Sequence, residues 1–442
     1  MGMCAPGQER AGAMRETGGR RQADAVGRLS RIGDTAPETS PLLAAILLAL
    51  VGLLIWVSAA SAPQLADVER LIDFDAFYIT GLLIAEGRLA EAYRLADMMA
   101  AQRALTGTDT FMTWTYPPPY NLLMQYLPLL PRGQAFMLFS VLTLAAYVLV
   151  LQRLAGRYMT AVLLALAPVL AVQALIGQNG FLLGALAGWF CLASLNAQPR
   201  RGLAGLPLGL MVIKPHLGLG LGLAALVQRR WTVLGVALAV AAVLSGLATL
   251  TFGIGIWGAF RGAVAEAGVI LQQGGYQLHR MASVYATLHR AGVAPETAAL
   301  AQAALGVTAL AAVPLALWRG ARPRVLLAVG CFASLMVSPY GYDYDLTIFG
   351  IGLALIAADL MARATRAEKG LMLLMAWIAG GWGLYGTAVG VRGAPPVQGS
   401  DLPLVQAIIA PVYLLLLVMI WRVMCRSAPA TPPATPPAAS MP

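Results

Sequence analysis

Asp73-Phe-Asp-Ala-Phe-Tyr78 opens, and Trp114-Thr-Tyr-Pro-Pro-Pro119 closes, the one long polar segment of a chain otherwise built for lipid. The segment follows the first apolar run, residues 42–60, and extends over about 61–118. It carries two carboxylates at a membrane boundary, an aromatic pair, two helix-like runs separated by Gly87, and a rigid proline exit. Asp75 to Glu86 reads as a short helix. Leu89 to Leu105 reads as an amphipathic one, with Leu95, Met98, Met99 and Leu105 toward the membrane surface and Arg94, Asp97 and Arg103 toward water. Three consecutive prolines remove donors and predict an extended path after Tyr116. Leu122 to Leu130 is apolar but too short to span, and is expected to dip into the interface.

Working outward, the chain of 442 residues is 59% hydrophobic and only 11% charged, with a mean hydropathy of +0.72. Soluble domains carry about 25% charged residues. Apolar runs of bilayer length recur, and no alternating ten-residue pattern of a membrane barrel is visible. The predicted class is therefore an all-α polytopic integral membrane protein. Beyond the first run, spans are expected near 134–151, 158–176, 180–197, 231–252, 297–317, 325–339, 345–362, 370–389 and 403–423. The run 203–227 is broken by Lys214-Pro-His216 and has basic pairs on both flanks, Arg200-Arg201 and Arg229-Arg230. It must enter and return, as two short helices or a re-entrant hairpin, which is tolerated only where protein or a wet cavity receives the backbone. With this pair the count comes to about 10–12 transmembrane helices.

The net charge of +10 is explained by arginines clustered at span ends, which orient helices, and not by a nucleic-acid partner. Arg153, Arg157, Arg319, Arg322, Arg324, Arg363 and Arg422 fall on one side, and Asp67, Glu69, Asp73, Asp75, Glu266, Glu296, Asp343, Asp345 and Asp401 on the other. Positive-inside logic puts both termini in the cytoplasm and the long loop outside. Residues 1–40 read as a disordered tail, 41–425 as the membrane domain, and 426–442, with its Ala-Thr-Pro-Pro repeats, as a second tail. Cys4, Cys191, Cys331 and Cys425 form no metal or disulfide pattern, and His216, His279 and His289 lack zinc spacing. No metal and no cofactor is expected.

Several polar clusters collect on the outer side: Asp73 and Asp75 with Tyr78, Tyr116, Gln178 and Asn179, Lys214 with His216, His279 and Arg280, and Tyr340, Tyr344 and Asp345. Ionisable groups at membrane depth are costly and tend to be functional. Acids, amides, aromatics and cations together suit a sugar and a phosphate. One of the two aspartates is the candidate general base, against the plainer reading of a helix cap or solvated surface. Residues two apart on a helix point about 200° apart, which argues against joint chelation of a metal. Lys214 with Arg280 is the candidate phosphate clamp, against a snorkelling lysine and an interfacial arginine. Gln178-Asn179 is also a plain turn signal, and the tyrosines with Asp345 also fit an aromatic belt with a capping acid.

These pieces, taken in order, resemble glycosyltransferase family 87 of the C-type membrane glycosyltransferase superfamily. The resemblance rests on Asp73-Phe-Asp-Ala-Phe-Tyr through Glu86-Gly-Arg88, on Tyr116-Pro-Pro-Pro-Tyr-Asn-Leu-Leu123, and on Gly177-Gln-Asn-Gly180. It continues through Ile213-Lys-Pro215, Arg280-Met-Ala-Ser-Val-Tyr285 and Ser338-Pro-Tyr-Gly-Tyr-Asp-Tyr-Asp-Leu346. It covers about residues 40–425. It implies a C-type fold with a long first extracytoplasmic loop, and a polyprenyl-phosphate-linked sugar, usually mannose, as donor. It also implies an envelope glycolipid, glycan or other acceptor, and inverting transfer by a general base at the outer face of a bacterial inner membrane. The family's first-loop aspartate falls on Asp73, with Asp75 second. Two other functions fit parts of the pattern. A transporter or flippase explains the broken segment with its lysine but not the acidic loop, and no inverted repeat supports it. A non-catalytic assembly or sensor protein of the envelope is the other, and it would be indifferent to Asp73→Asn.

Overall fold

The computed structural model describes residues 40–108, 112–196, 202–390 and 405–426. The two tails up to residue 39 and from 427, together with Cys4, Asp109, Arg200, Arg201 and Asp401, lie outside the described residues. Among the described residues the secondary structure is helical, apart from one antiparallel bridge between Met281 and Tyr342.

Among the described residues six apolar helical segments are long enough to cross a bilayer: Pro41–Ser61, Arg132–Ile176, Trp231–Phe252, Pro295–Trp318, Asp343–Arg363 and Arg366–Ala388. Shorter apolar helical segments accompany them at Gly180–Leu195, Pro215–Val227, Pro323–Leu335 and Ile409–Met424. The protein is an integral membrane protein of the polytopic all-α class. In chain order the first helices are α1 (Pro41–Ser61), α2 (Asp73–Ala85), α3 (Leu89–Ala92), α4 (Leu95–Thr106), α5 (Pro118–Met124) and α6 (Arg132–Ala155). Next come α7 (Met159–Ile176), α8 (Gly180–Leu195), α9 (Gly205–Leu210), α10 (Leu219–Val227), α11 (Trp231–Phe252) and α12 (Gly255–Gln272). The chain continues through α13 (Val284–Arg290), α14 (Pro295–Trp318), α15 (Pro323–Leu335), α16 (Thr347–Arg363), α17 (Arg366–Gly390) and α18 (Ile409–Met424).

Burial sorts these helices. The apolar window that includes α16 is 78% buried, whereas those of α1, α11 and α14 are 17% buried. The helix at the centre is therefore the one that follows the Tyr-Asp-Tyr-Asp stretch, and the outer helices present Leu, Val and Trp side chains outward, as lipid contact requires. Small residues bring α16 close to its neighbours. A Cβ on Gly352 would run into Phe332 of α15, and one on Gly350 would meet Leu166 of α7 and the Tyr147 hydroxyl of α6. That hydroxyl donates to the Thr347 carbonyl at 2.7 Å, pinning the start of α16.

The polar loop departs from its expected form in three places. The second helical run is two helices, α3 and α4, interrupted at Tyr93-Arg94, and Met98 of α4 is fully buried instead of lying on the membrane surface. Gln102 is buried with it and ties the loop by donating to the Met112 carbonyl at 2.8 Å and accepting from its N–H at 3.0 Å. The proline exit is extended only at Pro117, because Pro118 and Pro119 start α5, where their missing N–H groups are no loss. The amphipathic helix α12 has no counterpart among the expected spans. Its Glu266 accepts from the Leu95 N–H at 2.9 Å and so caps α4 from across the loop.

Candidate active site

The site is built where α2, the 211–218 break, the 278–280 turn and the 338–346 turn converge under the loop. At the start of α2 the two aspartates separate. Asp75 accepts from the Ile72 N–H at 2.8 Å, capping the helix, and from Arg132 Nε at 2.8 Å, while Arg132 Nη1 donates to the Ala62 carbonyl at 2.9 Å. Both side chains are buried, at 0% and 3% exposure. This pair ties the end of α1 to the starts of α2 and α6. Asp75, expected as second candidate base, has both oxygens committed to structure, which corrects that expectation.

Asp73 faces the other way. Its side chain keeps 19% exposure, and its Oδ2 lies 3.9 Å from Arg280 Nη2. No hydrogen-bond partner is found for that oxygen among the described residues. Burial pushes its carboxyl up to about 6, against the pull of Arg280 and with a further push from Asp343.

Arg280 is aimed by the backbone bridge between Met281 and Tyr342 and by the Ala282 N–H, which donates to the Gly341 carbonyl at 2.7 Å. The guanidinium grips Asp343 with two prongs, Nε to Oδ2 at 3.1 Å and Nη2 to Oδ1 at 3.0 Å. Asp343 is fully buried, packed where Gly383 of α17 leaves room. A Cβ on Gly383 would overlap the Asp343 carboxylate. One turn along α17, Gly386 makes the same allowance for His279. His279 is held neutral, pushed down to about 4 by burial and by Arg280 and Arg290.

The broken run at 203–227 folds as α9, two short turns and α10, with Lys214 at the break. Its Nζ donates to Asp345 Oδ1 at 2.6 Å and lies 4.7 Å from the centre of the Tyr344 ring. The other oxygen of Asp345 accepts from the Tyr342 N–H at 3.2 Å, so Asp345 is both the expected cap and an ion-pair partner. The clamp expected of Lys214 and Arg280 is thus modified: each cation holds its own carboxylate. Tyr342 and Tyr344 stack at 5.3 Å between the cations.

Tyr116 closes the loop side. Its hydroxyl donates to Gln178 Oε1 at 2.8 Å, and that oxygen also accepts from the Asn179 N–H at 2.8 Å. The turn at Gly177, with φ +63°, leaves no room for a side chain, because a Cβ there would meet Phe136 and Phe74. Asn179 is fully buried and faces the Tyr120 hydroxyl, its side-chain partner; Gln173 Oε1, His216 Nε2 and His279 Nε2 have no hydrogen-bond partner among the described residues. Buried polar atoms are ordinarily paired, so the unpaired Asp73 Oδ2, and the unpaired His216 and His279 nitrogens beside Lys214 and Arg280, have capacity left for a polar ligand.

The structure brings Asp73, Tyr116, Gln178, Asn179, Lys214, Arg280, Tyr344 and Asp345 to this region, with His216 and His279 beside them. Tyr340 stands at its edge, stacked edge-on against Tyr276 at 4.9 Å. Tyr78 does not belong: its hydroxyl donates to the Leu130 carbonyl at 2.9 Å and its ring packs toward Phe74, which corrects its place among the substrate-binding candidates. Asp343 and Arg132 were missed. The alternation Tyr342-Asp343-Tyr344-Asp345 held a signal for Asp343. In a 3-10 turn both acids can point inward to separate cations, whereas a strict helix would have turned one out.

Fold and site together define a polytopic membrane protein with a cluster of buried charged and polar side chains under its first long loop. The model of glycosyltransferase family 87 matches residues 114–339. The chain belongs to that family and is a membrane glycosyltransferase. No curated relative and no solved structure matches it. The matched segment contains Tyr116, Gln178, Asn179, Lys214 and Arg280. Asp73, Asp343 and Asp345 lie outside it and are joined to it by the contacts of Arg280 and Lys214.

Proposed function

We propose that this glycosyltransferase moves a sugar, mannose in the first instance, from a polyprenyl phosphate to an envelope glycolipid or glycan at the outer face of a bacterial inner membrane, with Asp73 as general base. The observation that carries the reading is Asp73 itself, a mostly buried carboxylate whose Oδ2 has no hydrogen-bond partner among the described residues and whose only ion-pair contact there is at 3.9 Å. A base must be ionised at working pH yet free to take a proton. Asp75, Asp343 and Asp345 are each held by a cation at 2.6–3.0 Å.

In the proposed reaction the acceptor hydroxyl oxygen attacks the anomeric carbon and its proton passes to Asp73. The bond from that carbon to the phosphate oxygen breaks, and the polyprenyl phosphate leaves with the electron pair, inverting the centre. Lys214 and Arg280 supply positive charge where the leaving group gains negative charge. Lys214 has three N–H donors, so its contact with Asp345 leaves donors for a phosphate oxygen. Tyr116, Gln178 and Asn179 offer the sugar hydroxyls their amide and phenol groups, with Tyr340, Tyr344, His216 and the neutral His279 as lining. A lipid tail can lie in the bilayer while its head enters the site.

The test is transfer of label from radiolabelled polyprenyl-phosphate mannose to an envelope lipid extract by purified protein, beside Asp73→Asn, with and without chelator. Transfer by the wild type alone, with chelator making no difference, is the expected result. Label moved equally by Asp73→Asn removes Asp73 as base. Failure by both across a panel of lipid-linked sugars removes the donor class.

A further inference from the structure

We infer that Asp343 is a positioning residue for the transfer reaction: by gripping Arg280 with both carboxylate oxygens it keeps the guanidinium off Asp73 and leaves that carboxylate free to act. The inference rests on the reading of Asp73 as base and adds what sets its strength.

The geometry is asymmetric. One arginine stands between two aspartates, yet both hydrogen-bonding prongs go to Asp343, at 3.1 and 3.0 Å, and Asp73 is left at 3.9 Å. Arginine prefers two-pronged contact with a carboxylate, so the two acids compete for one fork. Asp343 holds it because it is fixed. It is fully buried, its Oδ1 also accepts from the Tyr344 N–H at 2.9 Å, and the bare face of α17 at Gly383 receives its carboxylate. Asp73 has no such support. Were Arg280 to close on Asp73, that carboxylate would become a salt-bridged acid and a weaker base.

The charged and titratable groups around Asp73 come from every element that meets there. Arg280 comes from the 278–280 turn, Asp343, Tyr342 and Tyr344 from the 342–346 turn, Lys214 from the break before α10, Tyr116 from the loop, and Asp75 from its own helix. Asp75 is neutralised by Arg132, and Lys214 by Asp345. Arg280 is the group whose position is contested.

The prediction is a shift in the titration of Asp73, read without turnover. Full-length protein in lipid nanodiscs is titrated by infrared difference spectroscopy, with the carboxyl band assigned by subtracting Asp73→Asn. Asp343→Asn releases one prong and removes one negative charge, and is expected to lower the Asp73 midpoint by about one pH unit. Gly383→Ala keeps every charge but displaces the Asp343 carboxylate, and an alanine in a helix interior is well tolerated. It should lower the midpoint in the same direction, which separates repositioning of Arg280 from simple loss of charge. An unmoved or raised midpoint in folded Gly383→Ala overturns the inference. The base reading fails separately, if Asp73→Asn still transfers sugar.

Discussion

Asp73 and Asp75 sit two residues apart on the first turn of one helix and have opposite surroundings. Asp75 forms a closed unit with Arg132: both carboxylate oxygens are used, and the guanidinium reaches on to the Ala62 carbonyl. Across the helix, Asp73, Asp343 and Asp345 face Arg280 and Lys214, and the two cations are taken by Asp343 and Asp345. The first arrangement is what a fold needs, since breaking a buried pair strands a charge. The second leaves a carboxylate poorly satisfied inside the protein, which folding alone would not select. Satisfaction of charge, more than burial or sequence position, separates the structural acid from the proposed base.

The largest effect is expected from Asp73→Asn. Loss of the base should reduce transfer about 10²–10⁴-fold while the unfolding midpoint in detergent holds or rises, because an ill-paired buried charge has been removed. Asp75→Asn should do the reverse. It leaves Arg132 buried without its counter-charge, and a stability loss of about 3–5 kcal/mol is expected; the double change Asp75→Leu with Arg132→Met should recover most of it. A stable, inactive Asp75→Asn protein would invert the comparison.

A pH profile sharpens it next. The Asp73 carboxyl titrates at about 6 in the folded protein, above its ordinary 3.8, with burial as the main cause. As the proposed base, Asp73 works ionised, so transfer should fall as pH drops through about 6. The stability sign is the opposite of a salt-bridged acid. Between 3.8 and 6 the folded state binds more protons than the unfolded, so this residue's contribution to stability declines as pH rises through that window. Asp73→Asn should remove that slope from unfolding curves measured across the window. A slope that persists would assign the titration to another group.

The fold was legible from hydrophobic run length. Nearly every helix at membrane depth was anticipated within a few residues, because the bilayer sets a length that composition alone reveals. The break at Lys214 was legible for the same reason, since a lysine and a proline inside an apolar run need a polar partner. What the sequence did not disclose was pairing. Nothing local distinguishes Asp75, held by Arg132 from 57 positions away, from Asp73. Nor does the Tyr-Asp-Tyr-Asp stretch say that both of its acids turn inward. Helix α12 was missed because its apolar positions lie on one face, and a reading by run length does not register it.

The smallest effect tests the same distinction with two tyrosines. Tyr116→Phe and Tyr78→Phe each delete one phenolic hydroxyl from the same loop region, with one hydrogen bond lost in each case, at 2.8 Å to Gln178 and 2.9 Å to the Leu130 carbonyl. Each should cost stability by about 0.5–1.5 kcal/mol, so unfolding alone cannot separate them. Their partners differ. Gln178 Oε1 still accepts from the Asn179 N–H after the change, but the amide is freed to turn within the site, where substrate hydroxyls are proposed to bind. Tyr116→Phe should therefore lower kcat/KM by about 2–10-fold, the same interaction energy read on the reaction, mainly through KM. Tyr78→Phe should leave kcat/KM within about twofold of wild type, since a packing bond to the Leu130 carbonyl contributes nothing to the transition state. Equal kinetic losses in the two variants would mean that the site extends past Phe74 to Tyr78, and that the line drawn between structural and functional sides of α2 is in the wrong place.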